Sequence, residues 1–246
     1  MHNLGETRSS YKPTHLLQTP DTFIRTTLPG MKNAMAIVHA APQMGAAFTQ
    51  YTVEFESGGE LGPTSAQRFL YVLEGELQAS KTGQTQWLAP GGYAYLPEGA
   101  GYTISATRKS RAVVIEKKYV ELTGISAGKT IFGDERDLDS TALIGDEDLQ
   151  VKIMIPDAPE HDFAVNLMSY ARGAALSMVE IHVMEHGLLM LEGGGIYRLA
   201  DDWYPVTKGD FIWMAPYCPQ WFGAVGKGPA KYIIYKDANR HPLSRI

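Results

Sequence analysis

Short apolar runs rich in Val, Ile, Tyr and Phe occupy most of the chain, and 25 glycines and 14 prolines punctuate them. β-Branched and aromatic residues suit a pleated, half-buried surface, while Gly and Pro mark turns, so the pattern predicts many short strands. Sustained helical periodicity is hard to find. Two stretches resemble each other: RFLYVLEGELQASKTGQTQWLAPGGYAYLPEGAGYTIS from Arg68 and HGLLMLEGGGIYRLADDWYPVTKGDFIWMAPYCPQWFG from His186. Their turn glycines Gly75 and Gly193 lie 118 residues apart, and Gly91 and Gly209 repeat the offset. An internal duplication follows, and with it an all-β chain of two barrels. The expected division is an N-terminal arm at 1–39, a first barrel at 40–125, an acidic, turn-prone linker at 126–155 and a second barrel at 156–246. The arm and the end of the chain would pack as edge strands on the barrels or on another subunit.

Composition narrows the function classes. A length of 246 residues with 44% hydrophobic and 20% charged positions is that of a soluble globular protein. No apolar run approaches the roughly 18 residues needed to span a bilayer, so no membrane association is expected. The start of the chain lacks the features of a secretory signal, which makes the cytoplasm the expected location. Cys218 is the one cysteine, which rules out an intramolecular disulfide and fits a reducing compartment. A net charge of −5 argues against nucleic acid as a partner and favours a small-molecule substrate. A homo-oligomer is expected.

The segment SMVEIHVMEHGLLMLEGGGIYRL, Ser177 to Leu199, carries the chemistry. Read as a strand from Ser177 to Leu191, it places Met178, Glu180, His182, Met184 and His186 on one face and Val179, Ile181 and Val183 on the other. A helix is the alternative, because His182 and His186 are also spaced i, i+4 and Ser177 with Glu180 matches a capping box. The β-branched residues and the glycines at 187 and 193–195 favour the strand. Burying unpaired polar groups costs several kcal/mol each, by rough estimate. A divalent ion such as Mn, Fe, Co, Ni or Zn would satisfy Glu180, His182 and His186 together.

These residues resemble the first motif of the cupin barrel, in which a glycine precedes His-x-His, then Glu, then a second glycine. Here Glu180, His182, His186 and Gly193 stand in that frame with the ligand types permuted, and Gly173 lies one residue too far upstream. The second cupin motif resembles GDFIWMAPYCPQ, Gly209 to Gln220, with Gln220 where a histidine usually stands. The fold implied is a duplicated cupin, or bicupin, of two jelly-roll barrels, and the metal set implied is Glu180, His182, His186 and Gln220.

That permutation on the second barrel, together with the ending YIIYKDANRHPL, resembles the (S)-ureidoglycine aminohydrolase family, over most of the chain. The resemblance implies Mn²⁺, one divalent metal per chain, in an amidine-type carbon–nitrogen hydrolase of allantoin and purine catabolism. Its reaction is (S)-ureidoglycine plus water giving (S)-ureidoglycolate plus ammonia. It further implies a substrate pocket lined by Tyr197, Tyr232 and Lys236, with Lys236 the candidate to bind the substrate carboxylate or move a proton. Parity agrees, because Tyr232 and Lys236 share a strand face while Lys231 and Tyr235 point oppositely.

In the first copy the positions equivalent to Glu180, His182 and His186 are Gly62, Thr64 and Arg68, and no histidine lies between His39 and His161. That barrel is expected to be structural and metal-less. Cys218 is read as a small buried hydrophobe and the acidic stretch as solvated. The competing functions are another metal-dependent cupin reaction, an isomerase or dioxygenase on a small carboxylated substrate, or a non-catalytic bicupin that holds a small ligand.

Overall fold

In the computed structural model residues 5–241 are described. Regular structure is almost entirely β, and the helices among these residues are three single 3-10 turns, Pro20–Thr22, Pro42–Met44 and Glu135–Asp137. Among the described residues all strand pairings are antiparallel. The chain divides into two compact units.

The first unit runs from Ile24 to Leu138, with Met154–Asp162 and residues 238–241 added. Its strands order as Ile131–Asp134, Gly92–Leu96, Gln67–Glu74, Ser110–Lys117, Thr49–Leu61, Thr103–Ala106, Leu77–Lys81 and Gln84–Leu88, and Met31–Ala40 pairs along Thr49–Leu61. Alternate residues of these strands, among them Tyr51, Val53, Leu70, Val72, Ile104 and Val114, fill one core. Completely burying side chains of this size contributes about 1.5–3 kcal/mol each.

The second unit joins the segment ending at Phe23 to Asp139–Ile153 and Phe163–Asp237. Eight strands order as Ser10–Lys12, His15–Gln18, Phe211–Met214, His186–Glu192, Ala230–Asp237, Phe163–Tyr170, Asp146–Ile153 and Thr141–Leu143. A second sheet of Asp202–Thr207, Gly194–Leu199 and Gln220–Gly223 encloses the same core, where Leu188, Met190 and Ile212 meet Leu199, Val206 and Phe222.

The duplication is visible in the backbone. Gly75 and Gly193 both turn with positive φ, 82° and 62°. A Cβ would stand 2.2 Å from Ser110 Oγ at the first and 2.1 Å from the Pro229 carbonyl at the second. The turn therefore demands glycine twice over.

Two expected boundaries move. The arm 1–39 splits: His15–Gln18 pairs with Phe211–Met214 in the second unit, where Arg8 also clamps the buried Asp210 at 2.6 and 2.9 Å, whereas Met31–Ala40 belongs to the first. The segment 126–155, expected as a linker, is strand in part: Ile131–Asp134 pairs with Gly92–Leu96, and Thr141–Leu143 with Asp146–Ile153 forms an edge hairpin of the second barrel. Only Leu149 is fully buried within Asp146–Ile153. Edge strands keep polar outer residues, which hides them from a hydrophobicity pattern. Among the described residues no helix is long and apolar enough to cross a membrane.

Candidate active site

The strand expected from Ser177 to Leu191 is regular only from His186. Residues 177–185 instead hang on single backbone contacts. Glu180 and Gln220 exchange both backbone hydrogen bonds at 2.9 Å, and Tyr217 N–H donates to the His182 carbonyl at 2.8 Å. This bridge still sets an alternation. Glu180, His182, Met184 and His186 line a pocket of about 180 Å³, while Val179, Ile181 and Val183 turn outward, 37%, 61% and 40% exposed. Met178 leaves the expected face and is exposed as well. Directly bridged residues project their side chains to the same side, which puts Glu180 beside Gln220.

Both histidines aim a ring nitrogen at one point. His186 is buried, and its Nδ1 lies 3.2 Å from the Tyr235 carbonyl, an acceptor that fixes the proton on Nδ1 and leaves the Nε2 lone pair facing the pocket. Burial, then His182, then Lys236 push the His186 imidazole down to about 3, so the ring is neutral near pH 7 even though the carbonyl opposes the shift. His182 Nε2 stands 3.2 Å from His186 Nε2, 3.0 Å from Gln220 Nε2 and 3.8 Å from the Glu180 carboxylate. His182 Nδ1 is buried without a hydrogen-bond partner.

Among the described residues no three His, Cys, Asp or Glu side chains stand close enough to hold an ion by themselves. The set is complete only with the Gln220 amide and with Glu180, whose carboxylate stands off at 3.8 Å. The two imidazoles nevertheless fit a divalent cation, and the Gln220 amide does so once Oε1 instead of Nε2 is turned to His182. Metal–nitrogen bonds of about 2.0–2.1 Å place neighbouring ligand nitrogens roughly 3 Å apart, the spacing of the two imidazoles. A histidine whose far nitrogen is tied to a carbonyl is the usual arrangement of a metal ligand.

Tyr232 and Lys236 line the same pocket, as their shared parity requires. Tyr232 is buried with its hydroxyl 2.7 Å from that of Tyr170. Tyr197 lies elsewhere. It is fully buried behind Gln220 and donates to Gln220 Oε1 at 3.0 Å, so it contacts the expected ligand and not the pocket surface. Burial holds the phenols of Tyr197 and Tyr232 well above their usual range, protonated and able to donate. Leu143 and Val151 of the edge hairpin, with Met168 and Leu176, add apolar lining to the pocket.

Sequence reasoning missed Asn166 and Tyr170. Asn166 lines the pocket beside Lys236. Its one signal is a lone amide inside the apolar strand FAVNLMSY, since an amide buried among apolar neighbours needs a partner.

The equivalent place in the first barrel is closed. Arg68, at the position matching His186, is buried, ion-paired to Glu116 at 2.6 Å and bonded to the Gly62 carbonyl at 2.9 Å. A guanidinium tied to its own carboxylate stands where the second barrel offers an imidazole.

Comparison with known proteins identifies the family. The family model for the EutQ-like cupin domain matches residues 43–119, within the first barrel. The chain is 37% identical to a probable (S)-ureidoglycine aminohydrolase of Oryza sativa subsp. japonica, covering 97% of this chain and 78% of the relative. It is 36% identical to the (S)-ureidoglycine aminohydrolase of Arabidopsis thaliana, over 97% of this chain and 80% of that protein. Among solved structures, a Pseudomonas aeruginosa protein named for induction by glyoxylate superposes with a TM-score of 0.88 at 32% identity, covering 98% of this chain and 94% of the other.

Proposed function

Because this chain belongs to the (S)-ureidoglycine aminohydrolase family, a cupin family of hydrolases, we propose that its second barrel hydrolyses (S)-ureidoglycine to (S)-ureidoglycolate and ammonia with one bound Mn²⁺. Glu180, His182 and His186 would hold the ion, joined by Gln220 with its amide turned so that Oε1, which here faces Tyr197, replaces Nε2 beside His182; that makes two oxygen and two nitrogen donors of the kind that suits manganese. When bound, it would supply Lewis acidity at the reacting carbon's substituents or acidify a water.

The remaining chemistry belongs to the side chains. One water adds at the carbon and one ammonia departs, so the site must orient the substrate and deliver a proton to the leaving amine. The Lys236 ammonium, in the pocket wall in register with His186, receives the substrate carboxylate. The Tyr232 hydroxyl, held at its back by Tyr170, donates to the ureido oxygen. Tyr197 fixes the Gln220 amide. The apolar wall of Met168 and Leu176 limits bulk water around the reacting carbon.

The observation that carries this reading is the convergence of His182 and His186 Nε2 at 3.2 Å in the pocket that also holds Lys236. Metal analysis of the purified chain, paired with ammonia release from freshly generated (S)-ureidoglycine, tests it. One metal per chain and metal-dependent release support the reading; release untouched by chelation contradicts it.

A further inference from the structure

A cation set into a protein wall normally faces a carboxylate. Lys236 is half-buried, yet among the described residues none comes within ion-pair distance of it. Its polar contact is with an amide. Oriented so that both ends are satisfied, Asn166 donates through Nδ2 to the Val165 carbonyl at 3.1 Å and accepts from Lys236 Nζ at 3.1 Å. Asn166 is 6% exposed, on the strand hydrogen-bonded to that of Lys236, where Ala164 faces Lys236 and Asn166 faces Ile234. The amide therefore reaches the ammonium diagonally across the sheet, on the pocket side.

The duplicated barrel offers the contrasting solution within the same chain. There the in-register pair is Arg68 and Glu116, a closed charge pair at 2.6 Å. In the second barrel the in-register pair is His186 and Lys236, and the ammonium's neighbour is neutral. An amide oxygen aligns an ammonium without cancelling its charge, whereas a carboxylate at the same distance would do both.

We propose that Asn166 is a positioning and specificity-determining residue: its amide oxygen holds the Lys236 ammonium toward the pocket and leaves it uncompensated, so that the pocket selects substrates bearing a carboxylate. The identity of that substrate rests on the reaction assigned above. The anion selectivity does not.

The test is Asn166→Asp in the full-length protein. A carboxylate there closes the pair with Lys236, so KM for (S)-ureidoglycine rises about tenfold or more while kcat stays within about threefold, the signature of lost ground-state binding. Oxamate, a small carboxylate that is not a substrate of this reaction, reads the site by calorimetry without turnover, and its Kd weakens by the same factor. Asn166→Ala, which adds no charge, weakens oxamate about three- to tenfold and keeps the test open if the aspartate variant misfolds. In a Lys236→Met background Asn166→Ala has no further effect on oxamate, because the amide acts through the lysine. Wild-type oxamate affinity in both Asn166 variants, or an equal loss for Asn166→Ala with and without Lys236, overturns the proposal. A wild-type protein that binds oxamate with this dependence but releases no ammonia overturns the reaction and leaves Asn166 in its role.

Discussion

His186 Nε2 and His182 Nε2 lie 3.2 Å apart although their residues belong to different kinds of backbone, His186 to a regular strand and His182 to an irregular segment pinned by the Glu180–Gln220 bridge. A neutral imidazole has one proton to share between its two nitrogens. In His186 that proton is committed to the Tyr235 carbonyl. His186 Nε2 is thereby left to accept, and its 3.2 Å spacing from His182 Nε2 is one that two ligands of a shared ion also adopt.

Tyr197→Phe removes the hydroxyl that donates to Gln220 Oε1. One hydrogen bond to a neutral acceptor contributes about 1 kcal/mol, so kcat falls roughly three- to tenfold with KM nearly unchanged. Steady-state kinetics decide between the two placements of this tyrosine. A change confined to KM would mean that the phenol touches substrate.

Lys236→Met keeps the apolar stem and removes the charge. Metal content and fold are expected to remain, while kcat/KM drops by roughly 10²-fold or more. Elemental analysis and kinetics on the same preparation check both halves. Wild-type kinetics would move Lys236 out of the site.

Acid should destabilise the metal-free protein earlier than its carboxylates alone would. His39 is buried against Thr52 at 2.8 Å and pushed down from 6.5 to about 3, mainly by burial and then by Arg111. Above pH 6.5 the ring is neutral whether folded or not, and stability is unaffected. Below it the unfolded chain takes up a proton that the folded state refuses, so stability falls as pH drops from about 6.5 toward 3, by about 1.4 kcal/mol per pH unit per group at full slope. The metal-free His186 adds a second such group. Urea midpoints between pH 7 and 5 measure the slope, and His39→Gln should reduce it by one proton's share. A flat midpoint over that range contradicts the account.

The strands of both barrels and the duplication were legible in the chain because alternation and the repeated turn glycines report directly on backbone geometry, as the positive φ of Gly75 and Gly193 bears out. The edge hairpin of Thr141–Leu143 and Asp146–Ile153 was not, since a strand that buries little carries little pattern. Alternation in 177–186 placed Glu180, His182, Met184 and His186 on one side even though the segment is not a regular strand, because one bridge is enough to fix parity. Tyr197, placed in the pocket lining by the resemblance alone, lies behind Gln220 instead: how deep a side chain lies behind another depends on sheet curvature, and spacing does not encode that. Asn166 went unseen for a related reason. A single amide in an apolar strand becomes meaningful only when the neighbouring strand is known to carry Lys236 diagonally opposite.

The most direct measurement is ammonia release from freshly generated (S)-ureidoglycine by the full-length protein reconstituted with Mn²⁺, compared with His182→Ala treated identically and corrected for the uncatalysed background. The structure puts His182 within 3.2 Å of His186 Nε2, 3.0 Å of the Gln220 amide and 3.8 Å of the Glu180 carboxylate, at the centre of the ligand set. The account predicts turnover in the wild type and a loss of about 10²-fold or more in the variant, since removing a metal ligand removes the site's Lewis acid. Wild-type rates in His182→Ala would contradict it and place the chemistry outside the second barrel's pocket.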